Sequence, residues 1–144
     1  MSCLGGKMDI DALLERTYWV IDFLPYQVPA GCEGQFFKIE DYFLKPSRME
    51  CLQRKFLAVI LKLNCYYLIK AAAGDQWIDN PDPVYIQDQI NGRGLDVLIG
   101  GTLIQYNRDD THMTVYNPTK KLLELLRILA QSEGLFVWKP EGSR

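Results

Sequence analysis

The chain has 144 residues, 48% of them apolar and 24% charged, and a formal charge of −2. A chain of this size and balance suits one globular domain that buries roughly 70% of its unfolded surface. The near-neutral charge argues against wholesale nucleic-acid binding, which usually comes with a marked basic excess. There is no stretch of about 18 apolar residues for a membrane span and no apolar run near Met1 of the secretory kind. Cys3, Cys32, Cys51 and Cys65 form no C-x-x-C pair, so free thiols in a reducing compartment, and hence a cytoplasmic protein, are the expectation.

In chain order, residues 9–15 predict a short helix, with Ile10, Leu13 and Leu14 at helical spacing behind an acidic first turn. Residues 16–24 are aromatic and β-branched (Tyr18, Trp19, Val20, Ile21, Phe23), which favours a strand. One continuous helix over 9–24 also fits the apolar spacing, and Pro25 and Pro29 end either version. A glycine-rich loop at 30–34 leads into a short helix expected to turn Phe36, Ile39 and Phe43 inward.

The strongest helical pattern covers residues 47–64. Ser47 and Glu50 have the spacing of a capping box, and Met49, Leu52, Phe56, Val59, Ile60 and Leu63 share one face. Leu57 and Leu61 widen that face towards a neighbouring helix or a second subunit. Arg48, Arg54, Lys55 and Lys62 form the stripe that wants water. Residues 65–71 predict a short apolar strand.

Residues 74–96 form a long connector with five aspartates, two prolines, three glycines, Trp77 and Tyr85, a poor composition for either strand or helix. Connections this long inside a compact domain are usually binding loops, lids or disordered inserts. Beyond it, residues 95–106 and 111–116 read as a β-hairpin across Asn107–Asp110, with Ile104 facing Met113, Thr102 facing Val115 and Gln105 facing His112. Asn117 and Pro118 open an amphipathic helix over 118–132, carried by Leu122, Leu125, Leu126 and Leu129 and ended by Gly134. A last strand at 135–139 stops at Pro140.

These elements predict a single α+β domain over 1–144. It is a two-layer sandwich of a mostly antiparallel or mixed sheet under two main helices (47–64 and 118–132), with tails at 1–8 and 140–144. The element order approximates a split β-α-β-β-α-β arrangement, an architectural analogy that carries no activity.

Chemistry is sparse. Cys32 in its glycine-flanked loop and His112, the only histidine, are a conceivable nucleophile and base, but nothing in their spacing brings them together. No G-x-S-x-G occurs. Nitrogen or sulfur metal sites lack ligands, and the oxygen-rich set Asp75, Asp79, Asn80, Asp82 and Asp88 lacks calcium-loop spacing and equally suits turns. Gly92-Arg93-Gly94 precedes a strand, the wrong side for a dinucleotide fingerprint, and Gly100-Gly101 inside a strand suggests a bulge. Asp22 is a charge between Ile21 and Phe23. Strand alternation turns it to solvent, and burial with a raised pKa is the other option.

Charge is segregated: residues 45–62 hold five basic residues against one acid, and residues 75–96 hold five acids against Arg93. The expected function is therefore a non-catalytic protein-interaction module. The connector is its contact surface, and Trp77, Asp79, Asp82 and Tyr85 are the binding residues. Another protein is the expected partner, a homodimer is compatible with the leucines, and no cofactor or metal is expected. The alternative is a small enzyme with a pocket under the connector, using Asp22, Cys32 or His112. Nucleic-acid binding through Arg48, Arg54, Lys55 and Lys62 ranks third.

Overall fold

A computed structural model describes residues 10–141; Cys3 and the expected tail at 1–8 lie outside the described residues. The elements are α1 (Ile10–Leu14), β1 (Tyr18–Asp22), a 3-10 turn (Ala30–Cys32), α2 (Glu33–Phe43), α3 (Pro46–Asn64), β2 (Lys70–Ala73), β3 (Gln76–Asp79), α4 (Pro83–Asn91), β4 (Gly94–Ile99), β5 (Thr102–Asn107), β6 (His112–Tyr116), α5 (Lys120–Ser132) and β7 (Phe136–Trp138). The α1–β1 break excludes one continuous helix over 9–24. The strands form one seven-stranded sheet in the order β3-β2-β4-β5-β6-β1-β7. Every neighbouring pair is antiparallel. The architecture is thus the expected α+β sandwich, but its seven strands in this order are not the four-stranded split β-α-β-β-α-β arrangement.

The main core lies between one face of the sheet and α3, α4 and α5. Alternate residues supply it: Leu95, Val97 and Ile99 from β4, Ile104 and Tyr106 from β5, Met113 and Val115 from β6, Ile21 from β1 and Val137 from β7. Helix α3 contributes the six residues that share its sequence-predicted face, all buried, and Leu57 and Leu61 are half-buried against the same core. Among the described residues the reverse face is covered only in places. Leu98 and Leu103 pack there with Leu13 of α1, with Ile10 and Tyr116 alongside.

The 74–96 connector is built differently from the expectation. Ala73 pairs with Gln76 across Gly74 and Asp75, so β2 and β3 form a two-residue hairpin, and Gly74 supplies the positive φ (+83°) it needs. Helix α4 follows. Asp82 is its N-cap, accepting a hydrogen bond from Val84 N at 2.8 Å, with Pro83 at the first helical position. Ile86 and Ile90, one turn apart, are fully buried between α4 and the core. Asp82 and Pro83, part of a composition poor for helix or strand, are its start signals.

Other boundaries move for local reasons. Residues 95–106 are two strands, because Gly100 (φ +55°) and Gly101 make a tight turn that pairs Ile99 with Thr102. The β5–β6 register is Ile104 with Val115 and Gln105 with Thr114, two residues from the expected pairing, with face assignments preserved. Thr111 lies outside the strand, and its hydroxyl donates to Glu40 at 3.1 Å. Pro46 starts α3, so Lys45 is the N-cap without a side-chain bond, and no Ser47–Glu50 box forms. Glu50 pairs instead with Arg54 on the surface. Thr119, not Asn117, caps α5, its hydroxyl accepting from Leu122 N at 3.1 Å. The strand expected at 65–71 is confined to β2, since α3 runs on to Asn64. Helix α2 buries none of its residues: Phe36 and Phe43 are half-buried and Ile39 is exposed.

Candidate functional site

Two surfaces stand out, at opposite edges of the sheet. The first is a cavity of about 440 Å³ between the reverse face of β1, β6 and β7 and a roof made by α2 and the loop after β1. Antiparallel register puts its floor together. Asp22 lies opposite His112 on one side and Phe136 on the other, and Val20 lies opposite Trp138. Cross-strand partners share a face, so Val20, Asp22, His112 and Trp138 all point away from the main core.

Alternation does send Asp22 off the core face, as expected, but not into solvent: it is 8% exposed. Burial is the main cause that raises its pKa to about 6. The charge of His112, the backbone N–H groups of Phe23 and Leu24, and the Trp138 indole pull it the other way. Phe23 N donates to Asp22 Oδ1 at 2.8 Å, and the Trp138 indole N–H donates to the Leu24 carbonyl at 3.0 Å, fixing that wall. From the roof, Glu40 is held by the Thr111 hydroxyl, and Phe36, Phe37 and Glu33 complete the lining. A carboxyl raised to about 6 by burial and set beside an imidazole can exchange a proton with a bound molecule.

Asp22 and His112 are therefore brought together, but beneath α2, not beneath the connector. Cys32, exposed in the 3-10 turn, is not among the lining residues. Asp96, on the same reverse face with β5 and β6 between its strand and that of Asp22, also has a raised pKa through burial, partly offset by its bond with Gln105. Among the described residues no group of three or more His, Cys, Asp or Glu has the placement to hold a metal ion.

The second surface is the β3 edge. Strand β2 pairs one side of β3, and among the described residues no strand pairs the other. All four β3 residues are exposed. Trp77 and Ile78 sit there at 39% and 37% exposure, and Leu68, Tyr66 and Val84, adjoining the hairpin in the chain, are at 80%, 69% and 61%. Asp79 makes an exposed ion pair with Lys70 at 3.7 Å. Tyr85 is half-buried against the main core, and Asp82 is committed to its cap. Of the four sequence-predicted binding residues, Trp77 and Asp79 lie on the edge strand itself. The basic stripe of α3 is mostly engaged: Arg48 lies 3.7 Å over the Tyr42 ring, and Lys62 bonds Glu133 and Ser132.

Set against known protein families, curated proteins and solved structures, the chain matches none.

Proposed function

We propose that the protein is a non-catalytic interaction module that receives an extended segment of a partner protein along β3. The observation that carries this reading is an edge strand exposed along its whole length, with two exposed apolar side chains, Trp77 and Ile78, at its centre. Such an edge offers a row of unpaired backbone N–H and C=O groups as a template for a further strand. Trp77 and Ile78 project to opposite faces, since they pair with Ala72 and Ala71, which flank each other along β2. An added strand would therefore find an apolar anchor on each side of the sheet. Three exposed free thiols, Cys32, Cys51 and Cys65, support a reducing, cytoplasmic setting. No helix among the described residues is long and apolar enough to cross a membrane.

The test is affinity capture from source cells with the wild-type chain, Trp77→Ala, Ile78→Lys and the surface control Ile128→Lys, with captured proteins quantified. A partner retained by wild type and control but lost by both edge variants is the expected result. Equal capture by all four sinks the reading. Sedimentation of the wild-type chain alone distinguishes a second copy from a foreign partner as the occupant.

A second reading, catalysis by Asp22 and His112, is favoured by their cross-strand pairing in the cavity floor. It requires hydrolysis or isomerisation of a small substrate that vanishes in both Asp22→Asn and His112→Ala. Activity surviving both changes eliminates it.

A further inference from the structure

The cavity beneath α2 has a lopsided charge inventory. Its lining contains three carboxylates (Asp22, Glu33 and Glu40), one imidazole and, among the described residues, no lysine or arginine. The rest of the wall is largely aromatic and aliphatic. A volume of about 440 Å³ falls in the range of small-molecule sites, which typically join apolar walls to a few convergent polar groups. Glu40 does not swing freely, because Thr111 donates to its Oε2 at 3.1 Å.

We propose that this cavity binds a small organic cation, an amine whose apolar or aromatic body lies against Phe36 and Trp138 with its ammonium group directed to Asp22 and Glu40. The site is separate from the β3 edge and stands without that reading. The aromatic and aliphatic walls take the ligand's apolar body and the carboxylates take its ammonium group, so both favour the same ligand. The state of Asp22 agrees. Its carboxylate is undercompensated, as the raised pKa records, and an entering ammonium supplies the missing positive charge, whereas an anion would add to the deficit. Entry does not require breaking the core, because α2 buries none of its residues and Phe37, part of the lining, is 57% exposed.

The experiment compares three probes of nearly one shape: tryptamine, its alcohol counterpart tryptophol, and the carboxylate indolepropionate. Calorimetry gives the affinities, and the chemical shift of the Trp138 indole N–H reports where the probe sits. Tryptamine is expected to bind at least about tenfold more tightly than either counterpart, since only it forms a charge-assisted hydrogen bond with a carboxylate, and to move the Trp138 signal. Asp22→Asn should abolish that preference while leaving tryptophol binding unchanged, and Glu40→Gln should reduce it. Indolepropionate binding as tightly as tryptamine would overturn the proposal. So would the absence of binding by any probe at millimolar concentration, or a preference that survives both substitutions. Should Asp22→Asn fail to fold, Glu40→Gln alone decides: an undiminished preference refutes the assignment.

Discussion

Replacing Asp22 by asparagine tests the physical account of the cavity floor without any ligand. The carboxyl is raised from 3.8 to about 6 in the folded chain, chiefly by burial. Below the lower value both states are protonated and the acid costs nothing. As pH climbs through the interval, the unfolded chain releases its proton first while the folded chain keeps it. The folded state therefore binds more protons there and loses stability as pH rises. Roughly two pH units at about 1.4 kcal/mol each give a penalty of about 3 kcal/mol, fully present once the folded carboxyl has ionised. Asparagine keeps an oxygen for the Phe23 N–H and cannot ionise. Whatever its packing costs is constant with pH and cancels when only the slope is read. Urea denaturation of both proteins between about pH 3 and pH 7 should show the stability difference moving in favour of Asp22→Asn by about 3 kcal/mol. A flat difference, or a drift towards the wild type, would refute a buried, desolvated carboxyl at this position.

Other expectations follow from packing and backbone geometry, each read by urea denaturation. Phe56 is fully buried with its ring 5.3 Å from that of Tyr106, so Phe56→Ala should cost about 3–5 kcal/mol. Gly94 has φ +115°, and an added Cβ would run into the Tyr106 carbonyl oxygen on the paired strand; Gly94→Ala should therefore cost on the order of 3 kcal/mol. Thr119→Ala should cost about 1 kcal/mol through loss of the α5 cap, whereas Ser47→Ala should stay within about 0.5 kcal/mol because Lys45 occupies the cap position of α3. Equal losses at Thr119 and Ser47 would mean that the helix starts are misplaced.

The long helices were legible because their burial is periodic: the face predicted for α3 is the face that is buried, residue for residue. Helix α4 lies inside the expected connector, although its start signals stand in the sequence. Asp82-Pro83 is a cap followed by a residue suited to the first turn, and Ile86 and Ile90 stand one turn apart. The density of aspartate and proline hid them, because both residues start helices as readily as they interrupt them. Gly74-Asp75 and Gly100-Gly101 carry two-residue turn chemistry, where the sequence suggests a connector and a bulge. The cavity lay further out of reach. The alternation that puts Asp22 and His112 on the non-core face is local, but their pairing depends on β1 returning beside β6, some ninety residues later in the chain. Which acid is covered depends in turn on where α2 comes to rest, and that helix has too weak a buried face to announce its position.

The two edges of the sheet are managed differently, and the contrast bears on what β3 is for. At the far edge β7 is only three residues long, Pro140 follows shortly after it, and Arg127 of α5 donates to the Val137 carbonyl at 3.0 Å. Short length, proline and a side chain spent on a strand carbonyl are the ordinary ways of discouraging a further strand. β3 carries a tryptophan and an isoleucine at its centre, and its only charge, Asp79, is already matched by Lys70. An exposed apolar strand is an aggregation hazard, which selection removes cheaply with a single lysine. That the same fold blunts one edge and leaves the other sticky is accounted for if the second edge is covered in use. The cavity, over the strands next to the blunted edge, then stays clear of any partner seated on β3, so binding at the two places can be altered one at a time.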